Sequence, residues 1–374
     1  MKKVLFFIES LQCGGAEKSL LTLLNNLDYS NYEISLMVLK TGGEFENLLP
    51  SNIKKITVKY KLRFYERLKF KIFKVLDFRK KNHPAQLFWK STKNNISVLG
   101  LNFDVAIAWG QGFSTYYVSE KVNANKKYAW VNTDYFKAGY NWKQDLDIYQ
   151  NYNKVIGISE FVKETMQKFL NKSQVIKIDN IIDSKEINIR SKAELSLPFK
   201  SNQINIVSVG RLVNHKAFNL AIGACAILIN QGINVHLFII GEGIQRAYLE
   251  NEIRRLKIGQ NCSLLGYQEN PYPYIKACDI YLQTSKVEGL GRTIIEASLL
   301  NKPIITTNFP TAYTILTNEV TGLITNMNSE DIALTIKRLL SDSNLKENLV
   351  KNLIKKENKD KDKTLTSVYE LFNS

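Results

Sequence analysis

The sequence alternates short apolar runs with longer helical patterns, and this alternation occurs twice along the chain. The apolar runs are Val4–Ile8, Glu33–Leu39, Asp104–Trp109, Lys127–Val131 and Val155–Gly157 in the first half, and Ile204–Val209, Val235–Ile240, Asp279–Thr284 and Pro303–Thr306 in the second. Strands that alternate with helices predict a parallel sheet with helical crossovers. We therefore predict an α/β chain of two doubly wound, Rossmann-like domains.

A polar segment between the two halves predicts the domain boundary. From Asp183 to Gln203 the alternation stops, and this segment contains Pro198. We assign residues 1–185 to an N-terminal domain, 186–203 to a linker, 204–355 to a C-terminal domain, and 356–374 to a charged tail with a final helix that can pack back on the N-terminal domain. Because ligands bind at the carboxyl ends of strands in such sheets, we expect them in a cleft between the domains.

The composition and the cysteines indicate a globular protein of a reducing compartment. Hydrophobic residues make up 44% of the 374 residues and charged residues 23%, as in globular chains. Cys13, Cys225, Cys262 and Cys278 are widely separated, which favours reduced thiols in the cytoplasm. The apolar N-terminal run stops at Glu9 and predicts a strand, not a leader peptide. No apolar run reaches the length of about 18 residues that a membrane span needs.

The net charge of +16 is concentrated in one stretch. Its fourteen cations are Lys54, Lys55, Lys59, Lys61, Arg63, Arg67, Lys69, Lys71, Lys74, Arg79, Lys80, Lys81, Lys90 and Lys93, and its aromatic residues are Tyr60, Phe64, Tyr65, Phe70, Phe73, Phe78, Phe88 and Trp89. Three interpretations are open: a surface for anionic lipid, a nucleic-acid face, or a solvated helical face whose aromatic residues pack inward. We favour the first, which predicts peripheral contact of 54–93 with the inner face of the cell membrane and no nucleic-acid partner.

Two carboxylates flank a glycine-containing turn between an apolar strand and a helix. Glu288 precedes Gly289-Leu290-Gly291, and Glu296 lies in the helical segment that follows. Backbone N–H groups at the start of a helix form a natural phosphate site. Carboxylates on both sides of a phosphate suit the hydroxyls of ribose and of a sugar, which is the layout of a nucleotide-sugar.

Two cations follow the first strand of the second half. Arg211 comes directly after Gly210, and Lys216 ends the same loop. Arginine can bind a phosphate through two hydrogen bonds, and lysine adds a point charge. Together they could neutralise a departing diphosphate. His215 between them is interpreted as a spacer.

Further loops at strand ends are weaker indications of a site. They are Gly14-Gly15 after the first strand, Gly241-Glu-Gly243, and Gly266-Tyr267 beside the expected base pocket. The first is not a dinucleotide-binding fingerprint, and no acidic residue ends the second strand, so a nicotinamide enzyme is disfavoured.

Taken in order, these motifs resemble the retaining glycosyltransferases of family 4, which have the GT-B fold and an E-x7-E pair. The resemblance rests on Gly210-Arg211…Lys216, Gly241-Glu-Gly243 and Glu288…Glu296, with Gly14-Gly15 and Trp130-Val-Asn-Thr-Asp134 also in place. It covers nearly the whole chain and is strongest from Ile204 to Gly322. It implies a retaining hexosyltransferase with a UDP-sugar donor and a saccharide or lipid-linked acceptor in surface polysaccharide (capsule, lipopolysaccharide) or glycolipid assembly.

The resemblance also implies roles for individual residues. The catalytic candidates are Arg211 and Lys216 on the diphosphate and Glu288 on the transferred sugar. The donor-binding candidates are Gly14, Gly15, Gly210, Gly241, Gly243, Tyr267, Leu290, Gly291, Arg292 and Thr293, with Glu296 on the ribose. The candidates for contact with the sugar or acceptor are Asn132 and Asp134.

The chain departs from the family pattern at three positions. Ala217 stands where Gly is usual, Gly291 where Pro is frequent, and Asn132 where many relatives have His. An amide is neither an acid nor a base, so we interpret Asn132 as a hydroxyl contact. The resemblance suggests front-face transfer with no protein base. Neither Asp145-Leu-Asp147 nor Asp360-Lys-Asp362 looks like a metal–diphosphate motif, so no metal or cofactor is expected.

Two alternatives remain open from the sequence. One is a glycosyl phosphorylase or a synthase with a soluble acceptor, which the basic stretch disfavours. The other is a catalytically silent subunit that binds nucleotide or lipid, which Asn132 keeps possible.

Overall fold

The computed structural model describes residues 1–12, 14–58, 63–77, 81–355 and 361–374. The following residues named above lie outside those ranges: Cys13, Lys59, Tyr60, Lys61, Phe78, Arg79, Lys80, Asp360 and the remainder of the tail segment 356–360. The described residues form two compact units. The first contains those of Met1–Ile181 and Asp360–Ser374, and the second those of Ile182–Lys359.

The first unit is built on a seven-stranded parallel sheet. Its strands are β1 (Lys2–Ile8), β2 (Tyr32–Val38), β3 (Lys54–Thr57), β4 (Asn102–Trp109), β5 (Asn123–Val131), β6 (Lys154–Gly157) and β7 (Val175–Lys177). They follow the order β3-β2-β1-β4-β5-β6-β7, and Phe6 of β1 lies between Leu36 of β2 and Ile107 of β4. The strand order therefore changes direction between β1 and β4, because β2 and β3 lie on one side of β1 and β4 to β7 lie on the other. Parallel sheets of this kind bind ligands at that position.

Helices cover this sheet, and local signals fix where several of them begin. They are α1 (Gly15–Asn26), α2 (Phe64–Leu76), α3 (Pro84–Thr92), α4 (Phe113–Lys121), α5 (Trp142–Gln150) and α6 (Glu160–Met166). His83 caps α3 ahead of Pro84, Asn141 caps α5 and Ser159 caps α6 through side-chain hydrogen bonds. Each cap satisfies a backbone N–H that the helix itself leaves unpaired.

The second unit repeats the architecture with six parallel strands. They are β8 (Ile204–Val209), β9 (Val235–Ile240), β10 (Cys262–Leu264), β11 (Ile280–Gln283), β12 (Ile304–Thr307) and β13 (Leu323–Thr325), in the order β10-β9-β8-β11-β12-β13. The helices are α7 (Ser184–Arg190), α8 (Phe218–Asn230), α9 (Arg246–Arg255), α10 (Tyr272–Ala277), α11 (Arg292–Leu299), α12 (Ala312–Ile315), α13 (Ser329–Ser341) and α14 (Ser343–Lys355). The strands are buried on both faces, since Ile206 and Leu237 join one apolar cluster while Val207 and Phe238 join the other.

The last helix, α15 (Lys361–Asn373), belongs to the first unit. Phe372 packs edge-on against Phe6 and Tyr32, at centroid distances of 6.2 and 5.1 Å. Tyr369 stacks on Tyr32 at 5.6 Å, and the Tyr128 hydroxyl donates to the Leu371 carbonyl at 2.9 Å. The end of the chain thereby covers part of the first sheet.

The predicted fold class is confirmed in both units, and most predicted strands coincide with observed ones within two residues. The prediction did not include β3, β7, β10 and β13, which have three or four residues each. The segment interpreted as a linker contains most of α7. No helix among the described residues has the length and hydropathy needed to cross a membrane. Cys225, Cys262 and Cys278 are free and buried.

We predict that Phe372→Ala destabilises the first unit by about 3 kcal/mol, because Phe372 is 1% exposed and its removal leaves a cavity. All four tryptophans, Trp89, Trp109, Trp130 and Trp142, lie in the first unit. Urea unfolding followed by tryptophan fluorescence therefore measures this unit. Glu370→Ala, an exposed change on the same helix, is the matched control. An unfolding midpoint unaltered in Phe372→Ala would contradict the packing role of α15.

Candidate functional site at the carboxyl edge of the second sheet

Three loops at the carboxyl ends of β8, β9 and β11 form the candidate site of the second unit. They contain residues 210–217, 241–245 and 284–291, respectively. Because β9, β8 and β11 are neighbours in the sheet, these loops emerge side by side. The topology thus brings together sequence motifs that are up to about 80 residues apart.

Glycine allows the first two loops to pack closely. The Gly210 N–H donates to the Ile240 carbonyl at 2.9 Å, and the Leu212 N–H donates to the Glu242 carbonyl at 2.8 Å. Gly241 has φ +143°, and a Cβ there would overlap the Gly210 carbonyl. Gly243 is similarly placed against the Leu212 carbonyl. These glycines therefore hold the Arg211 loop in position, a structural role in addition to the predicted donor contact.

Lys216 and Glu288 form an ion pair at the centre of the site. The Lys216 Nζ lies 2.5 Å from the Glu288 Oε1, and the two side chains are 14% and 12% exposed. Burial raises the pKa of the Glu288 carboxyl, but the charge of Lys216 and hydrogen bonds from Lys216 and Ser285 outweigh it, so this pKa lies below its usual value. Glu288 is accordingly a carboxylate at neutral pH.

The Glu288 carboxylate is also held by neutral donors. Its Oε1 accepts from the Ser285 hydroxyl at 2.6 Å and from the Gln283 amide at 2.8 Å. The Gln283 Oε1 in turn accepts from the hydroxyls of Tyr281, at 2.9 Å, and Thr293, at 3.2 Å. Within the described ranges, no hydrogen bond reaches the Glu288 Oε2. One oxygen is thus fixed by the protein, and the other can accept a ligand hydroxyl.

Arg211 supplies the second cation of the site. Its side chain is exposed and forms no ion pair with any part of the chain that the structure describes. His215 adds no charge, because burial, followed by the charge of Lys216, lowers the pKa of its imidazole. An arginine without a carboxylate partner is suited to bind an anion.

The turn before α11 places its backbone at the start of that helix. Gly291 has φ +63° and ψ +44° and serves as the N-cap, and a Cβ there would overlap the Ile315 side chain. Leu290 is 9% exposed. The left-handed conformation at Gly291 favours glycine, and proline cannot adopt it because its ring fixes φ at about −65°.

Glu296 is more deeply buried than its predicted ribose contact suggested. It is 1% exposed, and its Oε1 accepts from the Arg292 Nε at 3.0 Å and from the Tyr272 hydroxyl at 3.3 Å. Arg292 lies one helical turn earlier in α11, so the two form an i,i+4 pair. Tyr267, the predicted wall of the base pocket, is half-buried and follows Gly266, whose carbonyl accepts from the Gly241 N–H at 2.8 Å.

The remaining candidates lie in the first unit. Gly14 is the N-cap of α1, and Gly15 is its first residue. The Asn132 Oδ1 accepts from the Asn180 amide at 3.2 Å, whereas its buried Nδ2 has no partner among the described residues. Asp134 is 4% exposed, and its Oδ1 accepts from the backbone N–H groups of residues 136 and 137, both at 3.1 Å.

Sequence reasoning missed the polar network around Glu288. The network includes Gln283, Ser285 and Thr293, together with Thr311, whose hydroxyl donates to the Glu288 carbonyl at 2.9 Å. The sequence contained one sign of it: Gln283-Thr284-Ser285 is a polar run that directly continues an apolar strand. Polar residues buried at a strand end need partners, so this run indicated a hydrogen-bonded cluster.

A family model matches the part of the chain that contains the candidate site. Residues 190–356 match the model described as glycosyl transferases group 1. This segment lies entirely within the second unit and makes up less than half of the chain. It contains the Arg211, Lys216, Glu288 and Glu296 positions.

The chain is also similar to individual glycosyltransferases. The lipopolysaccharide core biosynthesis glycosyltransferase LpsE of Rhizobium meliloti is 23% identical over 205 residues, covering 54% of this chain and 58% of LpsE. The N-acetylgalactosamine-N,N'-diacetylbacillosaminyl-diphospho-undecaprenol 4-alpha-N-acetylgalactosaminyltransferase of Campylobacter jejuni is 28% identical over 169 residues, covering 45% of this chain and 44% of that enzyme. The chain thus spans about half the length of these curated relatives.

A solved structure matches the whole chain. The crystal structure of Anabaena HepE in complex with UDP and glucose has a TM-score of 0.74 and 17% sequence identity, and the match covers 100% of both chains. With the two parallel sheets, this likeness identifies the fold as GT-B.

We predict that Glu288→Gln destabilises the second unit by about 3 kcal/mol, because it leaves the mostly buried Lys216 without its counter-charge. In the double variant Lys216→Met/Glu288→Gln, the loss should be smaller than the sum of the single losses by about 2 kcal/mol. Thermal unfolding followed by far-UV circular dichroism measures the loss of stability in each variant. Tryptophan fluorescence identifies the transition of the first unit. The exposed pair Glu319–Arg338 of the same unit is the matched control, with a coupling of at most about 1 kcal/mol. Equal coupling in both pairs would refute a special role of the buried one.

We further predict that the stability advantage of the native chain over Glu288→Gln depends on pH. The pKa of Glu288 is lower in the folded chain than its reference value of 4.5, so the carboxylate contributes stability above that reference value. This contribution is lost as the pH falls through the folded pKa. The difference in unfolding free energy between the native chain and Glu288→Gln should be smaller at about pH 3.5 than at about pH 7. A constant difference would indicate that the ionised form is not the one that stabilises.

Proposed function

We propose that the chain is a retaining hexosyltransferase that moves a sugar from a UDP-linked donor to a saccharide or lipid-linked saccharide acceptor. The proposed setting is the assembly of a surface polysaccharide or glycolipid. The observation that carries the proposal is the arrangement of Arg211, Lys216 and the ionised Glu288 at the carboxyl edge of the second sheet. This arrangement lies inside the segment that matches group 1 glycosyl transferases.

In this proposal, the two cations bind the donor diphosphate. Arg211 is exposed and has no counter-ion among the described residues, so it can bind phosphate oxygens without breaking an existing pair. Lys216 adds a second positive charge on the same loop. Negative charge grows on the diphosphate as the glycosidic bond breaks, so fixed cations stabilise the transition state more than the ground state.

Glu288 is proposed to position the transferred sugar. Lys216 keeps it ionised, and three donors hold its Oε1, while its Oε2 can accept a sugar hydroxyl. A carboxylate with a lowered pKa and several hydrogen bonds is a weak base and a weak nucleophile. Its environment therefore favours hydroxyl binding over a covalent sugar–enzyme intermediate.

The reaction is proposed to occur on one face of the sugar. The bond from the anomeric carbon to the diphosphate oxygen breaks while the acceptor oxygen forms the new bond to the same carbon. The acceptor proton passes to the departing phosphate oxygen, so no protein base is needed. No divalent metal is included in the proposal, since Arg211, Lys216 and the start of α11 can supply the charge stabilisation. Glu296 as ribose ligand belongs to the same proposal.

The acceptor is proposed to bind the first unit. The Asn132 Nδ2 is a buried donor without a partner in the described part of the chain, and an acceptor hydroxyl would satisfy it. The Campylobacter relative is named for a diphospho-undecaprenol acceptor, which supports a lipid-linked substrate. Peripheral contact of the 54–93 region with an anionic membrane, on the inner face of the cell membrane, completes the proposal.

We predict slow release of UDP when the protein is incubated with one member of a panel of UDP- and GDP-sugars. Glu288→Gln and Arg211→Ala should each reduce this release by about 100-fold or more, because each removes a charged contact to the transition state. Arg254→Ala, at an exposed arginine of α9, should leave the rate unchanged and serves as the control. Addition of EDTA should have no effect, and proton NMR of the product should show the anomeric configuration retained.

Other outcomes would separate the alternatives. UDP that raises the melting temperature without any turnover of the sugar panel would favour a silent nucleotide-binding subunit over the enzyme. Release of a sugar phosphate in the presence of inorganic phosphate would favour a phosphorylase. Full inactivation by EDTA, reversed by a divalent metal, would refute the metal-independent reaction.

A further inference from the structure

Three side chains of the first unit form a hydrogen-bonded chain at the carboxyl edge of its sheet. Trp130 lies at the end of β5, Asn132 follows this strand, and Asn180 follows β7. The Trp130 indole N–H donates to the Asn180 Oδ1 at 3.1 Å, and the Asn180 Nδ2 donates to the Asn132 Oδ1 at 3.2 Å. Trp130 and Asn180 are 1% and 6% exposed. The loops after β5 and β7 are therefore joined by a buried polar contact.

This chain of hydrogen bonds can run in one direction only. An indole N–H donates and cannot accept, so the atom of Asn180 that faces Trp130 must be its carbonyl oxygen. The other end of the same amide is an NH₂ group, which can only donate to Asn132. Asn132 must then accept through its Oδ1, and its own Nδ2 is left on the other side. Trp130 thus removes, through Asn180, the freedom of the Asn132 amide to exchange its donor and acceptor ends.

Gln111 holds the backbone that carries Asn132. The Gln111 Oε1 accepts from the Asn132 N–H at 3.2 Å, and the Gln111 Nε2 donates to the Thr133 carbonyl at 3.1 Å. Both polar ends of Gln111 are therefore used on the backbone of the loop after β5. The backbone and the amide of Asn132 are each fixed by a separate contact.

The remaining end of the Asn132 amide is a donor without an acceptor. Its Nδ2 is buried and has no hydrogen-bond partner among the described residues, although the residue as a whole is only half-buried. Gly110 follows the neighbouring strand β4. A Cβ on Gly110 would lie 3.9 Å from this Nδ2 and, its chain neighbours apart, within 4 Å of no other described atom. An unpaired buried donor is unfavourable, so the arrangement favours a ligand that supplies an acceptor here.

We propose that Asn180, oriented by Trp130, is a positioning residue that holds Asn132 as a hydrogen-bond donor to a sugar oxygen of the substrate. The bound group must offer a lone pair, as a hydroxyl or an acetamido oxygen does, and a protonated amine is excluded because it only donates. Since the amide is oriented in advance, little conformational entropy is lost on binding. This inference rests on the proposed function for the identity of the ligand as a sugar, of either the donor or the acceptor.

Nuclear magnetic resonance of protein with isotope-labelled asparagine tests the orientation without substrate. The amide signals of Asn132 and Asn180 are assigned by their loss in Asn132→Asp and Asn180→Asp. In the native chain, the Asn180 amide should show the downfield shift and slow exchange of a hydrogen-bonded donor, and the Asn132 amide should not. In Asn180→Asp the new carboxylate can only accept, so the Asn132 amide should turn over and its proton should move downfield. A merely structural contact would instead loosen, with no new hydrogen bond at Asn132.

Turnover tests whether the oriented donor is used. UDP release from the active nucleotide-sugar, with water or methyl glycosides as acceptor, should fall about tenfold or more in Asn180→Asp at about pH 7, because Asn132 then presents an oxygen to the substrate oxygen. The rate relative to the native chain should recover at acid pH, where the protonated carboxyl of this variant can donate to the Asn132 Oδ1 again. Asn132→Asp, which leaves the Trp130 contact intact, should lose as much. A loss with water assigns the contact to the transferred sugar, and a loss only with glycosides assigns it to the acceptor.

Asn123→Asp is the matched control. The Asn123 Nδ2 donates to the Asn102 Oδ1 at 2.7 Å in an exposed asparagine pair of the same unit. This variant should match the native chain in the Asn132 signals and in UDP release at every pH. Tryptophan fluorescence verifies that each variant is folded.

Two results would overturn the inference. One is a native chain in which the Asn132 amide is already a hydrogen-bonded donor. The other is an Asn180→Asp variant whose Asn132 amide has turned over while UDP release stays at the native rate. If no nucleotide-sugar of the panel is turned over, the proposed function fails separately. The Asn132 amide proton then decides the inference, since it should still move downfield when one of these nucleotide-sugars or methyl glycosides is added, and no movement with any of them rejects it.

Discussion

The Lys216–Glu288 ion pair is the interaction on which the candidate site depends. It joins the loop after β8 to the loop after β11, two segments that are 72 residues apart in the chain. A buried carboxylate is costly unless it is paired and hydrogen-bonded. This requirement accounts for the surrounding donors, since Ser285 and Gln283 both direct their hydrogen bonds to the same oxygen. The buried Glu288 carboxylate needs hydrogen-bond donors from the protein, and the polar residues at the end of β11 supply them.

Backbone geometry adds a second constraint around the same pair. Ala217, the residue after Lys216, has φ +48° and ψ +41° and is fully buried. This left-handed conformation costs an alanine about 1 kcal/mol or more, whereas glycine adopts it freely. The cost is tolerated because neighbouring contacts fix the loop, among them the hydrogen bond from the Lys286 N–H to the His215 carbonyl at 2.7 Å. The family resemblance implied a Gly at position 217, but only the structure shows that Ala217 adopts a strained conformation.

The sequence predicted the parts of the fold that follow from local patterns. Central strands such as β8 and β9 are predominantly apolar because both faces are buried, and their ends were predicted to the residue. Edge strands such as β3 and β7 are short and partly polar, so their residues carry no such pattern. The candidate site residues were predicted from the motifs and the family resemblance, whereas their contacts with one another were not predicted. A contact between Lys216 and Glu288 depends on strand order, which no local pattern contains. The Arg292–Glu296 pair, by contrast, follows from i,i+4 spacing and could have been predicted.

The Arg292–Glu296 pair also affects how the site can act. Both residues were assigned to donor binding, yet in the structure they already contact each other within α11. An arginine that bonds a buried carboxylate fixes its rotamer, so little conformational entropy remains to be lost when that carboxylate accepts a ligand hydroxyl. Glu288 is fixed in the same way by its three donors. The two carboxylates therefore stand at the two ends of one short helix-and-turn segment with their orientations set in advance. Such preorganisation is what a site requires if its contribution to catalysis is to hold a sugar donor in a reactive geometry.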